Sequence, residues 1–340
     1  MTTAAHVQPM PNADLVPSCD GTVGLRLPLE YGGELPDAVV GYRRIGAGLS
    51  PRPVVAVLGG ISAGRHVTAC IDDASPGWWE SMVGAARPID TSAFDVVAID
   101  WVGGAGLSTG PRDDVPFPAV GTHDQARALL AVLDRLGIRR LHAVVGASYG
   151  AMVALAFAER YGDRVDRAIV ISGAHATHPM ATALRSVQRG IVRLGLATGH
   201  RHDAVSLARS LAMTTYRTAQ EFAERFDVAP RWTEDGPRFP VEDYLAHHGE
   251  RFADRFSPRS FLCLSESVDL HHVDPSAIAT PATLVAVEGD PLVPAWQMAA
   301  LRDALGGPAT LDVVTSRYGH DAFLKEVETI GGRIAAALAG

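Results

Sequence analysis

Three residues of this chain could together turn a weak nucleophile into a strong one. Ser148 stands in Gly146-Ala147-Ser148-Tyr149-Gly150, Asp290 in Glu288-Gly289-Asp290-Pro291, and His320 in Tyr318-Gly319-His320-Asp321. A serine hydroxyl stays protonated at neutral pH. It attacks a carbonyl when an imidazole takes its proton, and the imidazole does so best when a carboxylate fixes its tautomer and balances its charge. The chain order serine, acid, histidine belongs to the nucleophile elbow, in which Gly-x-Ser-x-Gly joins a strand to a helix. There the serine sits in a strained turn and the glycines let strand and helix approach. The helix N-terminus behind the serine favours a developing oxyanion, and the N–H of Tyr149 is the expected donor. Taken singly, these residues read as a small-residue turn, a turn aspartate before proline, and one of 13 histidines. The ordered set carries the catalytic reading. Glu288 is a rival acid; Asp290 is preferred because it lies in the loop beyond the strand.

The elements that must hold these side chains are legible as runs of apolar residues. Residues 54–58, 94–100, 141–145, 168–171, 283–287 and 311–314 are short, apolar and rich in β-branched side chains, and read as buried strands. The first ends in Gly59-Gly60-Ile61-Ser62-Ala63-Gly64, where the N–H of Gly60 or Ile61 could supply a second oxyanion donor. Residues 123–136, 151–161 and 296–305 carry apolar positions at helical spacing. Alternation of this kind, with strands apolar on both faces, implies an α/β fold: a mainly parallel sheet covered by helices. Residues 175–274 break the alternation. They lack strand runs and are rich in Arg, Ala and His at helical spacing, so they read as a helical lid inserted into the core. The expected organisation is a flexible tail over residues 1–20, a core over 21–174 and 275–340, and the lid over 175–274.

Composition excludes several classes of function. The chain has 340 residues, 47% hydrophobic and 20% charged, which suits a globular protein with a large core. A formal charge of −8 without a basic run argues against nucleic acid or an anionic membrane as the main partner, though it leaves room for one basic pocket facing an anionic cofactor. No apolar stretch is long enough to cross a membrane, and the first twenty residues hold no hydrophobic signal core, so a cytoplasmic location is expected. Cys19, Cys70 and Cys263 are too far apart in sequence to form a disulfide framework or a metal-binding pair. Adjacent histidines diverge on a helix, so His247-His248 and His271-His272 are read as non-metal residues; no metal is expected.

A set of further motifs narrows the chemistry. Gly77-Trp78-Trp79-Glu80, Val83-Gly84, Pro88-Ile89-Asp90-Thr91, Leu107-Ser108-Thr109-Gly110-Pro111, Thr215-Tyr216-Arg217, Val241-Glu242 with Tyr244-Leu245, and Tyr318 through Leu324 occur together. On these the chain resembles the homoserine O-acyltransferase family from about Leu25 to Ala337, which implies an α/β-hydrolase fold. The resemblance implies ping-pong transfer of an acyl group from acyl-coenzyme A to the hydroxyl of L-homoserine through a Ser148 acyl-enzyme, as a step of methionine biosynthesis. Acyl-coenzyme A would be a co-substrate, with no permanently bound cofactor. By position, Arg217 would bind the substrate carboxylate, Asp321 the ammonium, and the N–H groups of Ile61 and Tyr149 the oxyanion. A homodimer formed through lid helices is implied as well.

Departures from the family pattern surround the substrate pockets. Tyr149-Gly150-Ala151 replaces Met-Gly-Gly, Gly59-Gly60-Ile61-Ser62-Ala63 replaces His-Ala-Leu-Thr-Gly, and Asp100-Trp101 replaces an Asn. Relatives that use succinyl-coenzyme A place an Arg two residues after the triad acid. Leu292 stands there, which leans towards acetyl, although Arg185, Arg189 and Arg193 recur on one lid helix. Succinyl-coenzyme A as donor, serine as acceptor, and water as acceptor in a plain esterase are the alternatives.

Overall fold

The structure, a computed structural model, describes residues 15–46 and 52–340. It opens with an antiparallel pair, β1 (Ser18–Pro28) and β2 (Glu34–Ile45). Then come β3 (Val54–Leu58), the short parallel pair β4 (Val83–Gly84) and β5 (Ile89–Asp90), β6 (Asp95–Ile99), α1 (Thr122–Arg135), β7 (Ala143–Ala147), α2 (Tyr149–Tyr161) and β8 (Ala168–Ile171). After the insertion described below, β11 (Ala282–Glu288), α8 (Ala295–Ala304), β12 (Ala309–Thr315), α9 (Ala322–Lys325) and α10 (Val327–Ala339) complete the core.

Eight strands form one sheet in the order β1-β2-β6-β3-β7-β8-β11-β12. β2 runs antiparallel to both its neighbours, and every pair from β6 onward is parallel. The central strands are buried along their whole length, as apolar strands covered on both sides must be. Period two divides their side chains. Val54, Ala56 and Leu58 join the core beneath α1, α2 and α8; Val55 and Val57 join the opposite core, capped by α10 and Trp79. The indole N–H of Trp79 donates to Phe323 O at 2.8 Å, which ties that second layer to the segment just after His320.

Two expectations are corrected here. Residues 1–14 of the expected tail lie outside the described residues, but Ser18, Cys19 and Asp20 pair with Ile45, Arg44 and Arg43 and begin β1. Asp20 is held there by the buried Arg43 guanidinium at 2.5 and 2.9 Å, and this hydrogen bond keeps its carboxyl below the usual carboxylate range. The sequence pattern over residues 175–274 predicts a helical lid without strand runs. These residues contain α3 (Pro179–Thr198), α4 (Arg201–Tyr216), α5 (Ala219–Arg225), α6 (Pro240–Ala253) and α7 (Pro258–Asp269), but also a hairpin, β9 (Arg231–Thr233) and β10 (Gly236–Arg238). Glu234 and Asp235 make its turn and Gly236 follows at φ +113°, a conformation that favours glycine.

The helices of the insertion carry clear boundary signals. Pro179 starts α3 and Gly199 ends it at φ +84°, while Ser257 caps α7 by accepting from Ser260 N at 3.0 Å. Among the described residues no helix is long and apolar enough to cross a membrane.

Candidate active site

The nucleophile position follows from the turn between β7 and α2. Ser148 has φ +57° and ψ −120°, a region costly for a residue with a Cβ, by about 1–3 kcal/mol. Its N–H donates to Ile171 O at 2.9 Å, anchoring the turn to β8. The two glycines are steric necessities. A Cβ on Gly146 would lie 2.2 Å from Gly150 O, and one on Gly150 would lie 2.2 Å from Leu58 O. Gly150 N also donates to Gly59 O at 2.8 Å, which locks the elbow to the loop after β3.

The acid and base arrive from the ends of neighbouring strands, where sites collect in open α/β sheets. Beyond β11, Gly289 turns the chain at φ +76° and places Asp290. The Oδ1 of Asp290 accepts from Leu292 N at 2.8 Å and Val293 N at 3.0 Å; its Oδ2 lies 2.7 Å from His320 Nδ1. His320 Nε2 lies 2.8 Å from Ser148 Oγ. The three residues thus form one connected chain with a fully buried carboxylate at its end. Glu288, the rival acid, is exposed at the strand end and accepts from Thr315 Oγ1, 2.8 Å away, so it faces elsewhere. Burial works against a charged imidazole. The charge and hydrogen bond of Asp290, with Asp321 adding to them and Arg185 opposing, nevertheless lift His320 above the ordinary histidine value.

Ile61 and Tyr149 line the same cavity as Ser148 and His320. The peptide joining Gly60 to Ile61 has its direction set from behind. Gly60 O accepts from Trp101 Nε1 at 3.0 Å and from Ala63 N at 2.9 Å. In a trans peptide the N–H points opposite to the C=O, so Ile61 N–H is directed away from Trp101. Asp100 braces the same loop by accepting from Arg65 N at 2.9 Å and Arg65 Nη1 at 2.6 Å. Asp100 and Trp101 thus brace the loop that carries Ile61. Tyr149, the other departure, sends its side chain away from the reacting centre. It is fully buried edge-to-face on Trp101 at 5.0 Å, and its hydroxyl meets Ser267 Oγ of α7 at 2.7 Å. Burial raises its phenol above the usual tyrosine value.

Arg217 and Asp321 are brought together, with each other. Arg217 Nε donates to Asp321 Oδ2 at 2.9 Å, and its Nη1 lies 3.4 Å from Glu221 Oε1. Asp321 lines the catalytic cavity; Arg217 lies behind it, in a neighbouring cleft with Glu224, Arg225 and Lys325. Asp321 occupies the position before α9 but makes no side-chain capping bond; its carboxylate is paired with Arg217 instead.

Several lining residues escaped the sequence reading. Arg209 lines the cavity from the middle of α4, and Thr215 and Tyr216 of the Thr215-Tyr216-Arg217 motif line it from the end of that helix. Ser172 lines it too, fully buried at φ +48° with a hydroxyl that has no partner among the described residues. Arg209 and Ser172 stand in no motif; a serine directly after a strand run is the one signal that could have been sought. Of the lid arginines, Arg185 lines the cavity with Leu292 and is bound to Asp269 at 2.6 and 2.8 Å. Arg189 stands behind it on the same carboxylate at 2.5 Å, and Arg193 is outside, on Glu266. The paired histidines have structural roles. His271 is buried between Thr122 Oγ1 at 2.8 Å and Ala174 O at 2.9 Å, and burial depresses it to about 3. His248 packs on Tyr244 at 4.5 Å and is depressed by burial to about 4.

Comparison with known proteins places this geometry in a family. The alpha/beta hydrolase fold family matches residues 53–327. A homoserine O-succinyltransferase of Xanthomonas campestris is 42% identical over 338 residues, covering 99% of this chain and 89% of that protein. An L-serine/homoserine O-acetyltransferase of Streptomyces lavendulae is 36% identical, covering 92% and 94%. Among solved structures, homoserine O-acetyltransferase from Bacillus anthracis superposes with a TM-score of 0.86 at 19% identity, covering 96% of this chain and 98% of that one, a likeness of fold.

Proposed function

Because the chain belongs to the homoserine O-acyltransferases of the alpha/beta hydrolase fold, we propose that it transfers an acyl group from acyl-coenzyme A to the hydroxyl of L-homoserine. One observation carries this reading beyond the family: the hydrogen-bonded triad opens into a cavity that also holds Asp321, a carboxylate suited to an amino-acid ammonium.

The steps follow from the geometry. His320 Nε2 takes the Ser148 proton as Oγ attacks the thioester carbonyl. Asp290 keeps the other ring nitrogen protonated and stabilises the imidazolium. The oxyanion is received by the N–H groups of Ile61 and Tyr149 at the N-terminus of α2. Coenzyme A leaves as its thiol with the proton from His320, and an acyl–Ser148 ester remains. Homoserine then binds, with its ammonium at Asp321, whose carboxylate Arg217 holds in place. Its hydroxyl gives a proton to His320 and attacks the ester. Collapse of the second tetrahedral intermediate returns that proton to Ser148 and releases O-acylhomoserine. Acyl-coenzyme A is a co-substrate in this scheme. The lid helices above the site limit access of water to the acyl-enzyme.

The proposal extends to a homodimer in the cytoplasm. Met180, Val187 and Leu194 recur every seven residues on α3 and are each more than half exposed, an apolar stripe on the lid that a second copy would cover. Cys19, Cys70 and Cys263 are all free thiols, which suits a reducing compartment.

The test is a matrix of acetyl- and succinyl-coenzyme A against homoserine and serine, read by thiol release and product mass. Thiol release that requires homoserine and yields its O-acyl ester supports the proposal. Release at the same rate without an amino acid would make the protein a thioesterase.

A further inference from the structure

The catalytic cavity carries one charge more than an amino-acid acceptor uses. Besides the triad, Asp321, Arg209 and Arg185 line it. The ammonium and carboxylate of a bound amino acid would match Asp321 and Arg209 one for one. Arg185 is left over.

Arg185 belongs to a buried cluster with a surplus positive charge. Its Nε and Nη2 donate to Asp269 Oδ1 at 2.8 and 2.6 Å. Arg189, one turn further along α3, donates to Asp269 Oδ2 at 2.5 Å, and Thr182 Oγ1 donates to Oδ1 at 2.8 Å. Burial works against the charge of Asp269, but the hydrogen bonds and charge of Arg185, with Arg189 and Thr182 adding to them, hold its carboxyl below the usual carboxylate range. One carboxylate therefore answers two guanidiniums. Among the described residues neither arginine pairs with another carboxylate, and Glu266, on the same helix as Asp269, pairs with Arg193 instead. All three side chains are nearly buried, where a net charge is costly unless an anion meets it.

The cluster also brings unused donors to the cavity. Arg185 Nη2 donates to Thr177 Oγ1 as well as to Asp269, which leaves Nη1 without a partner among the described residues. Gln188, three residues further along α3, lines the same cavity. It is 5% exposed, and its carboxamide makes no hydrogen bond among the described residues. A guanidinium edge and a carboxamide N–H together suit a carboxylate.

We infer, resting on the proposed transfer from acyl-coenzyme A, that Arg185 and Gln188 receive a terminal carboxylate on the acyl chain, so that the donor is a dicarboxylic acid monothioester such as succinyl-coenzyme A. Leu292 supplies no charge, and α3 supplies it in its place. The bonds made and broken are unchanged. Ser148 Oγ joins the thioester carbon, the C–S bond breaks, the thiol leaves with the proton from His320, and the far carboxylate takes no part beyond binding.

The experiment measures homoserine-dependent thiol release from succinyl-, butyryl- and acetyl-coenzyme A by wild type, Arg185→Met, Gln188→Met and Arg193→Met. Butyryl has the four carbons of succinyl without its carboxylate. Leu184, Phe261 and Val268 also line the cavity, so without a cation the apolar chain would be preferred. The wild type is expected to favour succinyl over butyryl in kcat/KM by about 10- to 100-fold, the range of a charge-assisted pair. Arg185→Met brings this ratio to one or below by lowering the succinyl value, mainly through KM. Gln188→Met lowers it by about 2- to 10-fold. Arg193→Met, outside the cavity on Glu266, keeps the wild-type ratio. A wild type that transfers butyryl as well as succinyl overturns the assignment, and so does an unchanged ratio in a folded Arg185→Met protein. An equal loss in Arg193→Met marks a general lid lesion and overturns it too. If Arg185→Met does not fold, the wild-type ratio and Gln188→Met decide. In all these cases transfer to homoserine still stands. If no donor gives homoserine-dependent release with wild type, the functional reading falls and this assignment falls with it.

Discussion

Replacing Asp290 by Asn tests whether the triad works as the hydrogen bonds suggest. Asp290 Oδ1 receives two backbone donors, Leu292 N at 2.8 Å and Val293 N at 3.0 Å, and Oδ2 faces His320 Nδ1 at 2.7 Å. An asparagine must keep its single oxygen on the two N–H groups, because turning it would leave both buried donors facing an amide NH2. Its Nδ2 then donates to His320 Nδ1, so the imidazole proton moves to Nε2. In that tautomer Nε2 cannot accept from Ser148 Oγ. The geometry is preserved and the base is disabled. A tautomer inversion of this kind costs about 10⁴ in kcat, or about 5.5 kcal/mol of transition-state stabilisation. Thiol release from acyl-coenzyme A at saturating homoserine measures the loss, and circular dichroism checks that the fold is retained. A fall of less than about tenfold, roughly 1.4 kcal/mol, in a folded Asp290→Asn protein would refute the assignment of Asp290 as the orienting acid.

Other predictions concern the same machinery. The acid limb of the kcat/KM profile is expected above pH 6.5: Asp290 raises His320, the base works only when neutral, and so activity is lost as pH falls through this raised value. A limb below pH 6.5 would contradict the coupling. Gly150→Ala is expected to lower stability by about 3 kcal/mol or more and abolish transfer, since its Cβ meets the backbone of Leu58 and Gly59; thermal unfolding reads the loss. Gly190→Ala, in open space within α3, should instead raise stability by about 0.5–1 kcal/mol in the same assay. Trp101→Phe removes the donor to Gly60 O, so kcat should fall by about tenfold or more while KM for homoserine changes little.

How far the sequence anticipates the structure depends on what decides each element. β3, β6, β7 and β8 are buried on both faces, so their residues read as unbroken apolar runs. β1 and β2 lie at the sheet edge and are half exposed, with polar residues such as Asp20, Arg43 and Arg44 along them, and no run announces them. Ser148, Asp290 and His320 were legible because their chain order is fixed by the topology. The pairing of Arg217 with Asp321 was not, since it joins residues 104 positions apart through lid packing. Arg209 is one arginine among several on the lid helices. Only the fold shows that it faces the cavity, and that aromatic rings rather than carboxylates hold it.

The central claim is that Ser148 carries the acyl group and delivers it to an amino acid. The most direct measurement is mass spectrometry of the Ser148 peptide after brief mixing with acyl-coenzyme A, then again after homoserine is added. The account predicts an acyl adduct on Ser148 that persists in buffer and is discharged by homoserine, with O-acylhomoserine appearing as it disappears. An adduct lost to water at the same rate with and without homoserine, or O-acylhomoserine formed at the full rate by Ser148→Ala, would contradict it.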